Sequence, residues 1–228
     1  MRIPLTPHGM RELLLYALPF LPLAVAAGVW LHPAAAIPPA AIGCAIAAFF
    51  RDPERAIPGG EETMVSPADG TVMDIEEVDE PEFIGGRATR IGIFLSILSV
   101  HVNRSPVAGV VESVRRKRGA FHLAYKPEAI TENEASAIGI AAGPPWGCRI
   151  LVRQITGAAA RRIVCPLEPG ATLARGARFG MIKFGSRTEV WIPKATPVRI
   201  AVSVGDAVRG GSSVLAFHGV ASKEGGAS

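Results

Sequence analysis

One feature limits this chain more than any other: 38 residues in a row, from Leu13 to Phe50, contain no Asp, Glu, Lys or Arg. His32-Pro33 divides this run into apolar segments of 19 and 17 residues. Both lengths are close to the ~20 residues that a helix needs to cross a bilayer. Because the two segments are joined by a two-residue break, they predict a membrane-associated helical hairpin over residues 1–50.

The depth of this hairpin in the membrane stays open. A cleaved signal peptide would have a shorter apolar region, and no second apolar segment would follow it at once. A re-entrant or interfacial hairpin is a stronger alternative to a spanning one, because four prolines interrupt the segments: Pro19, Pro22, Pro38 and Pro39. Arginines flank the run on both sides, so the positive-inside tendency predicts that the rest of the chain lies on the cytoplasmic side of the cell membrane.

The rest of the chain has the composition of a globular domain. Residues 51–228 contain 22 of the 24 basic and 19 of the 20 acidic residues. This balance excludes a disordered or collagen-like chain, and no dense Lys/Arg stripe suggests a nucleic-acid partner. Cys44, Cys148 and Cys165 are isolated, so neither a disulfide framework nor a metal site is indicated.

After Arg51, short β-rich runs alternate with Gly and Pro. Strands are predicted at 71–73, 90–95, 109–114, 149–155, 161–164, 189–192 and 198–202, and one weak helix at 127–137. We therefore expect a mainly β chain, with a barrel-sandwich-like catalytic domain at 51–221 after the N-terminal hydrophobic helical hairpin. Residues 222–228 are expected to form a flexible tail.

The most informative stretch is RFGMIKFGSRTEV at 178–190. It resembles the self-cleavage segment of the phosphatidylserine decarboxylase proenzyme family, whose members become pyruvoyl-dependent by cutting a Gly-Ser bond. Four other segments resemble that family in the same order: FRDPER at 50–55, SPADG at 66–70, FLS at 94–96 with HVNRSP at 101–106, and TENE at 131–134. The short chain is most similar to the compact bacterial and archaeal branch.

The resemblance implies a cut between Gly185 and Ser186, which gives chains 1–185 and 186–228. Ser186 would attack the Gly185 carbonyl, and elimination and hydrolysis would leave a pyruvoyl group in place of Ser186. That group would form a Schiff base with phosphatidylserine and release CO2, which yields phosphatidylethanolamine. No metal or diffusible cofactor is implied.

A serine hydroxyl needs a base, and Asp69 and His101 are the candidates. On residue type alone, an Asp before Gly is usually a turn residue and a His after an apolar run is usually a core residue. The family resemblance favours catalytic roles for both. Many members have a second histidine three residues after the first, whereas this chain has Arg104, which cannot act as a base. The sequence leaves open whether His101 or Asp69 activates Ser186.

The implied partners are phosphatidylserine in the membrane and the two self-cleavage chains for each other, with the oligomeric state open. Arg104, Lys183 and Arg187 are candidates for binding substrate phosphate or carboxylate. Nothing in the sequence separates acyl from ether lipids.

Two other classes remain as alternatives. A membrane-tethered, noncatalytic barrel-sandwich carrier would use the turn at Gly205-Asp206 and a modified lysine. A membrane peptidase would pair Ser186 with Lys183 or Lys194. The carrier does not explain Phe184-Gly185-Ser186 or the segment around His101.

Overall fold

The computed structural model describes residues 5–6, 9–158, 162–183 and 185–219. The chain divides into two units, residues 1–54 and residues 55–228. The first unit is helical and the second is mainly β. The predicted tail at 222–228 lies outside the described residues.

The described residues of the first unit form three α-helices: α1 (Met10–Tyr16), α2 (Phe20–Trp30) and α3 (Ile37–Phe49). A 3₁₀ turn at Pro33–Ala36 joins α2 to α3, and the His32 side chain accepts a hydrogen bond from the Ala34 N–H at its start (3.2 Å). Helix α2 packs against α3. This is the helical hairpin that the uncharged run predicts.

Many large apolar side chains of this unit are exposed, as expected for helices that contact lipid. Leu21, Val25, Val29 and Trp30 are all more than half exposed. The segment Met10–Trp30 is long and apolar enough to cross a membrane, whereas Pro33–Phe49 is a shorter apolar helical segment. The first unit therefore fits membrane association.

The second unit has fourteen strands in the described residues and a single α-helix, α4 (Pro127–Glu132). The strands are β1 (Thr63–Val65), β2 (Gly70–Glu80), β3 (Gly86–Leu95), β4 (Val102–Arg104), β5 (Gly109–Lys117), β6 (Ala135–Ala142), β7 (Arg149–Ile155), β8 (Ile163–Val164), β9 (Thr172–Leu173), β10 (Arg178–Ile182), β11 (Ser186–Pro193), β12 (Val198–Ile200), β13 (Ala207–Val208) and β14 (Val214–His218).

Eight of these strands form one antiparallel, curled half-barrel sheet in the order β13-β2-β3-β11-β7-β6-β5-β9. Two three-stranded sheets accompany it, in the orders β1-β14-β12 and β4-β10-β8. The main core includes Ile91, Ile93, Ile138, Val152 and Val190. A smaller apolar cluster contains Phe83, Ala88, Leu151 and Trp191. The prediction of a mainly β, barrel-sandwich-like domain after a hydrophobic helical hairpin is confirmed.

The predicted helix at 127–137 is too long. Helix α4 stops at Glu132 because Asn133 leaves the helical region, with φ −70° and ψ 157°, and its side chain bonds to neighbouring main chain. The chain then enters β6, which pairs with both β5 and β7. Sequence reasoning missed β6 because its Ala, Ser and Gly residues have little intrinsic preference for strands.

Candidate active site

Gly185 and Ser186 lie at the start of β11, near the middle of the eight-stranded sheet. Gly185 has φ +60°, in the left-handed region that non-glycine residues rarely occupy. Ser186 pairs with Leu95 at the end of β3. The Gly-Ser bond is therefore at a sharp change from a left-handed turn to an extended strand.

The Ser186 side chain is completely buried, and its Oγ makes no hydrogen bond to any residue in the described part of the chain. Burying a hydroxyl without a partner is unfavourable, so such groups in a native fold call for an explanation. Side chains alternate along a strand, and Ser186 shares its side of β11 with Val190, which belongs to the main core. The hydroxyl is thus shielded from bulk water beside the Gly185 carbonyl.

Gly157 lies against this carbonyl. Strand β7 pairs with β11 through Ile155 and Arg187, and the chain continues past this pair to Gly157 on one side and Gly185 on the other. A Cβ atom on Gly157 would be only 2.0 Å from the Gly185 carbonyl oxygen. A side chain at position 157 would therefore displace the carbonyl that Ser186 would attack.

Asn133 fixes the segment that contains Gly157. Its Nδ2 donates to the carbonyls of Thr156 (2.7 Å) and His122 (2.8 Å), and its Oδ1 accepts the His122 N–H (2.7 Å). The Thr156 N–H also donates to the Glu134 carbonyl (3.0 Å). The buried amide thereby joins three segments next to the Gly-Ser bond.

His101 is fully buried just before β4. Its Nδ1 is 2.9 Å from the Ser99 carbonyl oxygen, which can only accept a hydrogen bond, so Nδ1 carries the proton. In the neutral ring, Nε2 then has the lone pair that a general base requires. The His101 carbonyl accepts the Ile182 N–H (3.2 Å), so the segment that leads to Ser186 starts beside His101.

Asp69 precedes β2, two strands away from Ser186 in the sheet order. Its Oδ2 accepts from Arg55 (2.7 Å) and its Oδ1 accepts the Gly210 N–H (2.7 Å). Among the described residues, no hydrogen bond joins this carboxylate to His101 or Ser186. Asp69 is held at the edge of the site, and its predicted catalytic role stays a prediction.

Asn103 is a residue of the site that sequence reasoning did not single out. Its Nδ2 donates to Thr188 Oγ1 (3.0 Å), and its Oδ1 accepts from Gln154 Nε2 (2.8 Å). All three side chains are buried. This bridge holds β4, which follows His101, against β11, which follows Ser186. The position of Asn103 within the HVNRSP segment was the available signal.

Arg104 and Lys183 are also buried near this region. The Arg104 guanidinium donates to the Gly176 carbonyl (3.2 Å), and its main-chain N–H donates to Pro67 (2.9 Å). The Lys183 N–H donates to the Arg162 carbonyl (3.3 Å). Their roles in binding substrate stay predictions.

Arg187 belongs to a buried ion-pair network formed by Asp74, Arg90, Arg153, Arg187 and Glu189. Arg187 forms a two-pronged contact with Asp74, with both N–O distances at 2.7 Å, and its Nε lies 2.8 Å from Glu189. Arg153 and the Trp191 indole bind the other oxygen of Glu189. These contacts assign Arg187 to the network, and its predicted contact with substrate stays a prediction.

The network shifts the ionisation of its members. Burial alone would raise the pKa of Asp74, but the hydrogen bond and charge of Arg187, together with Arg90, lower the pKa below its usual value. Burial would likewise lower the pKa of Arg187, and the bonds and charges of Asp74 and Glu189 raise it instead. Both groups are therefore held in their charged forms.

In the described parts of the chain, no three His, Cys, Asp or Glu side chains come together as metal ligands. The chemical groups described at the Gly-Ser bond are a buried hydroxyl and a carbonyl held against Gly157, and the main chain of His101 bonds to Ile182 in the segment that leads to them. This set can support an intramolecular attack on the peptide bond.

Comparison with known proteins gives matches to one family. The family model for phosphatidylserine decarboxylase matches residues 44–216. A phosphatidylserine decarboxylase proenzyme from Rhodopirellula baltica is 44% identical over 216 residues, which cover 95% of this chain and 89% of the relative. The proenzymes of Carboxydothermus hydrogenoformans and Symbiobacterium thermophilum are 49% and 47% identical, each over 73% of this chain and 76% of the relative.

The match includes every segment on which the resemblance in sequence was based, so the predicted family is confirmed. The similarity extends over most of the length of each relative. The chain belongs to the phosphatidylserine decarboxylase family.

Proposed function

We propose that this chain is a self-cleaving phosphatidylserine decarboxylase whose reactive centre is Ser186. The observation that carries the proposal is the buried Ser186 hydroxyl, unpaired within the described residues, directly after a left-handed glycine. Membership of the family supplies the reaction class, a pyruvoyl-dependent carboxy-lyase. No observation favours the noncatalytic carrier.

Maturation starts when Ser186 Oγ attacks the Gly185 carbonyl carbon. The new C–O bond replaces the C–N bond, and the freed amine takes up the serine proton. A base then removes the Cα proton of residue 186, and this elimination breaks the Cβ–Oγ bond and leaves Gly185 with a free carboxylate. Hydrolysis of the resulting dehydroalanine releases ammonia and gives a pyruvoyl group at position 186.

His101 is the residue that we assign to proton transfer at this centre. Its Nδ1–H is fixed by Ser99, so Nε2 can accept the Ser186 proton and later return a proton to the product carbon. Asp69, held by Arg55 and Gly210, is the second candidate for assistance in maturation.

A pyruvoyl group would take the position of the buried Ser186 side chain at the start of β11. The site fits such a group, because it is closed to bulk water. Once formed, it supplies a ketone that reacts with the substrate amine and draws electrons away as CO2 leaves. The buried cations Arg104 and Lys183 are candidates for holding the substrate carboxylate or phosphate.

The apolar first unit suits a lipid substrate, because the lipid can then reach the enzyme without leaving the membrane. We assign the second unit to the cytoplasmic side from the arginines that flank the uncharged run. After maturation, chains 1–185 and 186–228 would stay together as a heterodimer, since β11 is paired with β3 and β7 along its length.

The intact mass of the purified protein tests the maturation step. The wild-type chain should give two products, and the smaller one, of 43 residues, should be about 17 Da lighter than its unmodified sequence because ammonia is lost. Ser186→Ala should give one uncut chain without decarboxylase activity on phosphatidylserine vesicles. Ser136→Ala is the matched control, because Ser136 is also buried in this sheet, and it should mature normally. A cut after Gly185 in Ser186→Ala would refute the proposed nucleophile.

A second substitution tests the imidazole. His101→Ala should lower kcat for CO2 release by at least about 100-fold, in the range expected for loss of a general acid–base group. His218→Ala, which changes a histidine whose ring contacts that of Trp146, should keep wild-type activity. Full turnover by His101→Ala would remove His101 from the mechanism.

A further inference from the structure

Two loops beside the Gly-Ser bond expose large apolar side chains to solvent. The first follows β3 and carries Ile97 and Leu98, which are 61% and 82% exposed. The second connects β5 to α4 and carries Phe121, Leu123 and Tyr125, of which Tyr125 is 54% exposed. We call these five residues the apolar rim.

Contacts at the base of the loops place the rim next to the reactive centre. The rings of Phe94 and Tyr125 meet edge to face at 6.1 Å, and this contact joins the end of β3 to the second loop. Ala124 is buried between the exposed Leu123 and Tyr125, and its Cβ is 3.1 Å from the position that a Cβ on Gly157 would take. The second loop thus passes over the segment that holds the Gly185 carbonyl.

The charges around the second loop identify the kind of surface that the rim fits. Residues 115–132 contain five cationic side chains and two carboxylates, and one of the five, Arg115, is paired with Glu82. Arg116, Lys117 and Arg118 come just before the apolar residues, and Lys126 comes just after them. Exposed apolar and aromatic side chains between cations are typical of segments that enter the interface of an anionic bilayer. Five exposed apolar side chains close together are unusual on a loop that faces only water, and such a patch typically marks a contact surface.

We propose that the apolar rim inserts into the interface of an anionic lipid bilayer, so that a phosphatidylserine head group reaches Ser186 directly from the leaflet. This inference rests on the proposed function for its substrate. The contact with lipid is a separate physical claim, and it concerns the catalytic unit rather than the helical hairpin.

Quenching of a fluorescent label tests the contact with lipid in the full chain. The protein is placed in nanodiscs of phosphatidylcholine and phosphatidylglycerol, with an NBD label on Leu98→Cys or Leu123→Cys in a Cys44→Ala background. The two remaining native cysteines, Cys148 and Cys165, react slowly because burial raises the pKa of both thiols. Val110→Cys is the matched control, since Val110 is 43% exposed and pairs with Ala141 at the far end of β6.

Labels at 98 and 123 should be quenched by doxyl-labelled lipid chains and protected from aqueous iodide, and the label at 110 should behave in the opposite way. Equal access of iodide to all three labels would overturn the proposal. Protection of the rim labels from both quenchers would also overturn it, because another protein or a second copy of the chain would then cover the rim.

A kinetic comparison tests the delivery of substrate. The double variant Leu98→Ser, Leu123→Ser loses apolar contact with the bilayer. Its kcat/KM on bilayer phosphatidylserine, divided by its kcat/KM on a monomeric short-chain phosphatidylserine, should therefore fall by about tenfold or more. Val110→Ser should leave the ratio unchanged. An equal fall on both substrates would assign the rim to chemistry or folding and refute the inference.

The design separates this inference from the proposed function. If the wild-type chain neither matures nor releases CO2 while the rim labels are quenched by lipid, the proposed function fails and the membrane contact stands. If the chain is active and the rim labels face water, the function stands and the rim proposal fails.

Discussion

Ser186 and Arg187 are neighbours on β11, yet their side chains lie in opposite kinds of surroundings. Both are buried, on opposite faces of the same strand. The Arg187 guanidinium is bound by two carboxylates, whereas the Ser186 hydroxyl has no hydrogen-bond partner among the described residues. One face of the strand is therefore held by an ion-pair network around Arg187, and the other presents a hydroxyl without a hydrogen-bond partner among the described residues.

We propose that this difference separates a group that holds the strand, Arg187, from a group that reacts on it, Ser186. A buried ion pair is costly to break from one side, because the partner charge is then left unpaired. A buried hydroxyl without a partner is instead free to make a new bond. The ion-pair network fixes the position of β11, and we propose that this fixed strand presents Ser186 to the Gly185 carbonyl. The predictions below separate these two roles.

The largest expected effect comes from substitution of Gly157, which lies against the Gly185 carbonyl. Gly157→Ala adds a methyl group 2.0 Å from the present position of the Gly185 oxygen, so the carbonyl must move. We expect self-cleavage to slow by about 100-fold, the loss that a shift of roughly 1 Å in a reacting group can cause. The measurement is the fraction of uncut chain against time after synthesis, by gel or intact mass.

Gly143→Ala is the matched control for this prediction. A Cβ at position 143 would lie 3.9 Å from the nearest atom, the Ala108 oxygen, so maturation should be normal. The thermal unfolding of Gly157→Ala, measured in a Ser186→Ala background, shows whether the chain still folds. A folded Gly157→Ala chain that matures at the wild-type rate would refute the steric argument.

Gly157 is a residue whose importance could not be predicted from the sequence. Ser186 and His101 could be predicted as catalytic residues because their chemistry is specific and their segments resemble the family, and both roles stay predictions. The β-rich runs and turn residues predicted strands that overlap β2, β3, β5, β7, β8, β11 and β12, whereas β6 was missed. Gly157 has no side chain to suggest a role, and its importance depends on the pairing of β7 with β11, which no local pattern contains. The helix at 127–137 was extended too far because the Asn133 contacts that end α4 are also tertiary.

The role of Arg187 was the hardest to derive from sequence. An arginine next to a reactive serine suggests an anion site, and its actual partner Asp74 is 113 residues away in the chain. No sequence pattern indicates that the Ser186 and Arg187 side chains have separate polar environments. Only the order of strands in the sheet brings β2 close enough to supply that carboxylate.

The next effect in size tests the ion-pair network. Arg187→Gln leaves Glu189 and Asp74 with fewer cationic partners inside the protein, and we expect the free energy of unfolding to fall by about 3 kcal/mol. Urea unfolding followed by tryptophan fluorescence measures this in a Ser186→Ala background, where the chain stays uncut. Arg149→Gln is the control, because the Arg149–Glu112 pair is exposed and its loss should cost about 0.5 kcal/mol or less.

The same variant decides between the two roles considered for Arg187. If Arg187→Gln is as stable as its control but raises KM for phosphatidylserine, Arg187 binds substrate as the sequence suggests. A loss of stability with KM unchanged in the matured fraction assigns it to the network alone.

The smallest expected effect is the dependence of stability on pH that Asp74 provides. The pKa of Asp74 is lower in the folded protein than its ordinary value of 3.8, because Arg187 and Arg90 outweigh the effect of burial. Its contribution is therefore complete above that ordinary value and is lost as the pH falls through the lowered pKa. Asp74→Asn removes the ionisable group, so between about pH 6 and about pH 3 this variant should lose roughly 1 kcal/mol less stability than the parent chain.

Thermal unfolding across this pH range, in the Ser186→Ala background, measures the difference. Glu77→Gln is the control: hydrogen bonding to Lys194 also lowers the pKa of Glu77, but this carboxylate is exposed to solvent, which screens the interaction. Its pH dependence should match that of the parent chain. Parallel curves for Asp74→Asn and the parent would mean that Asp74 contributes no pH-dependent stability, and that Glu189 is the carboxylate that fixes Arg187 on β11.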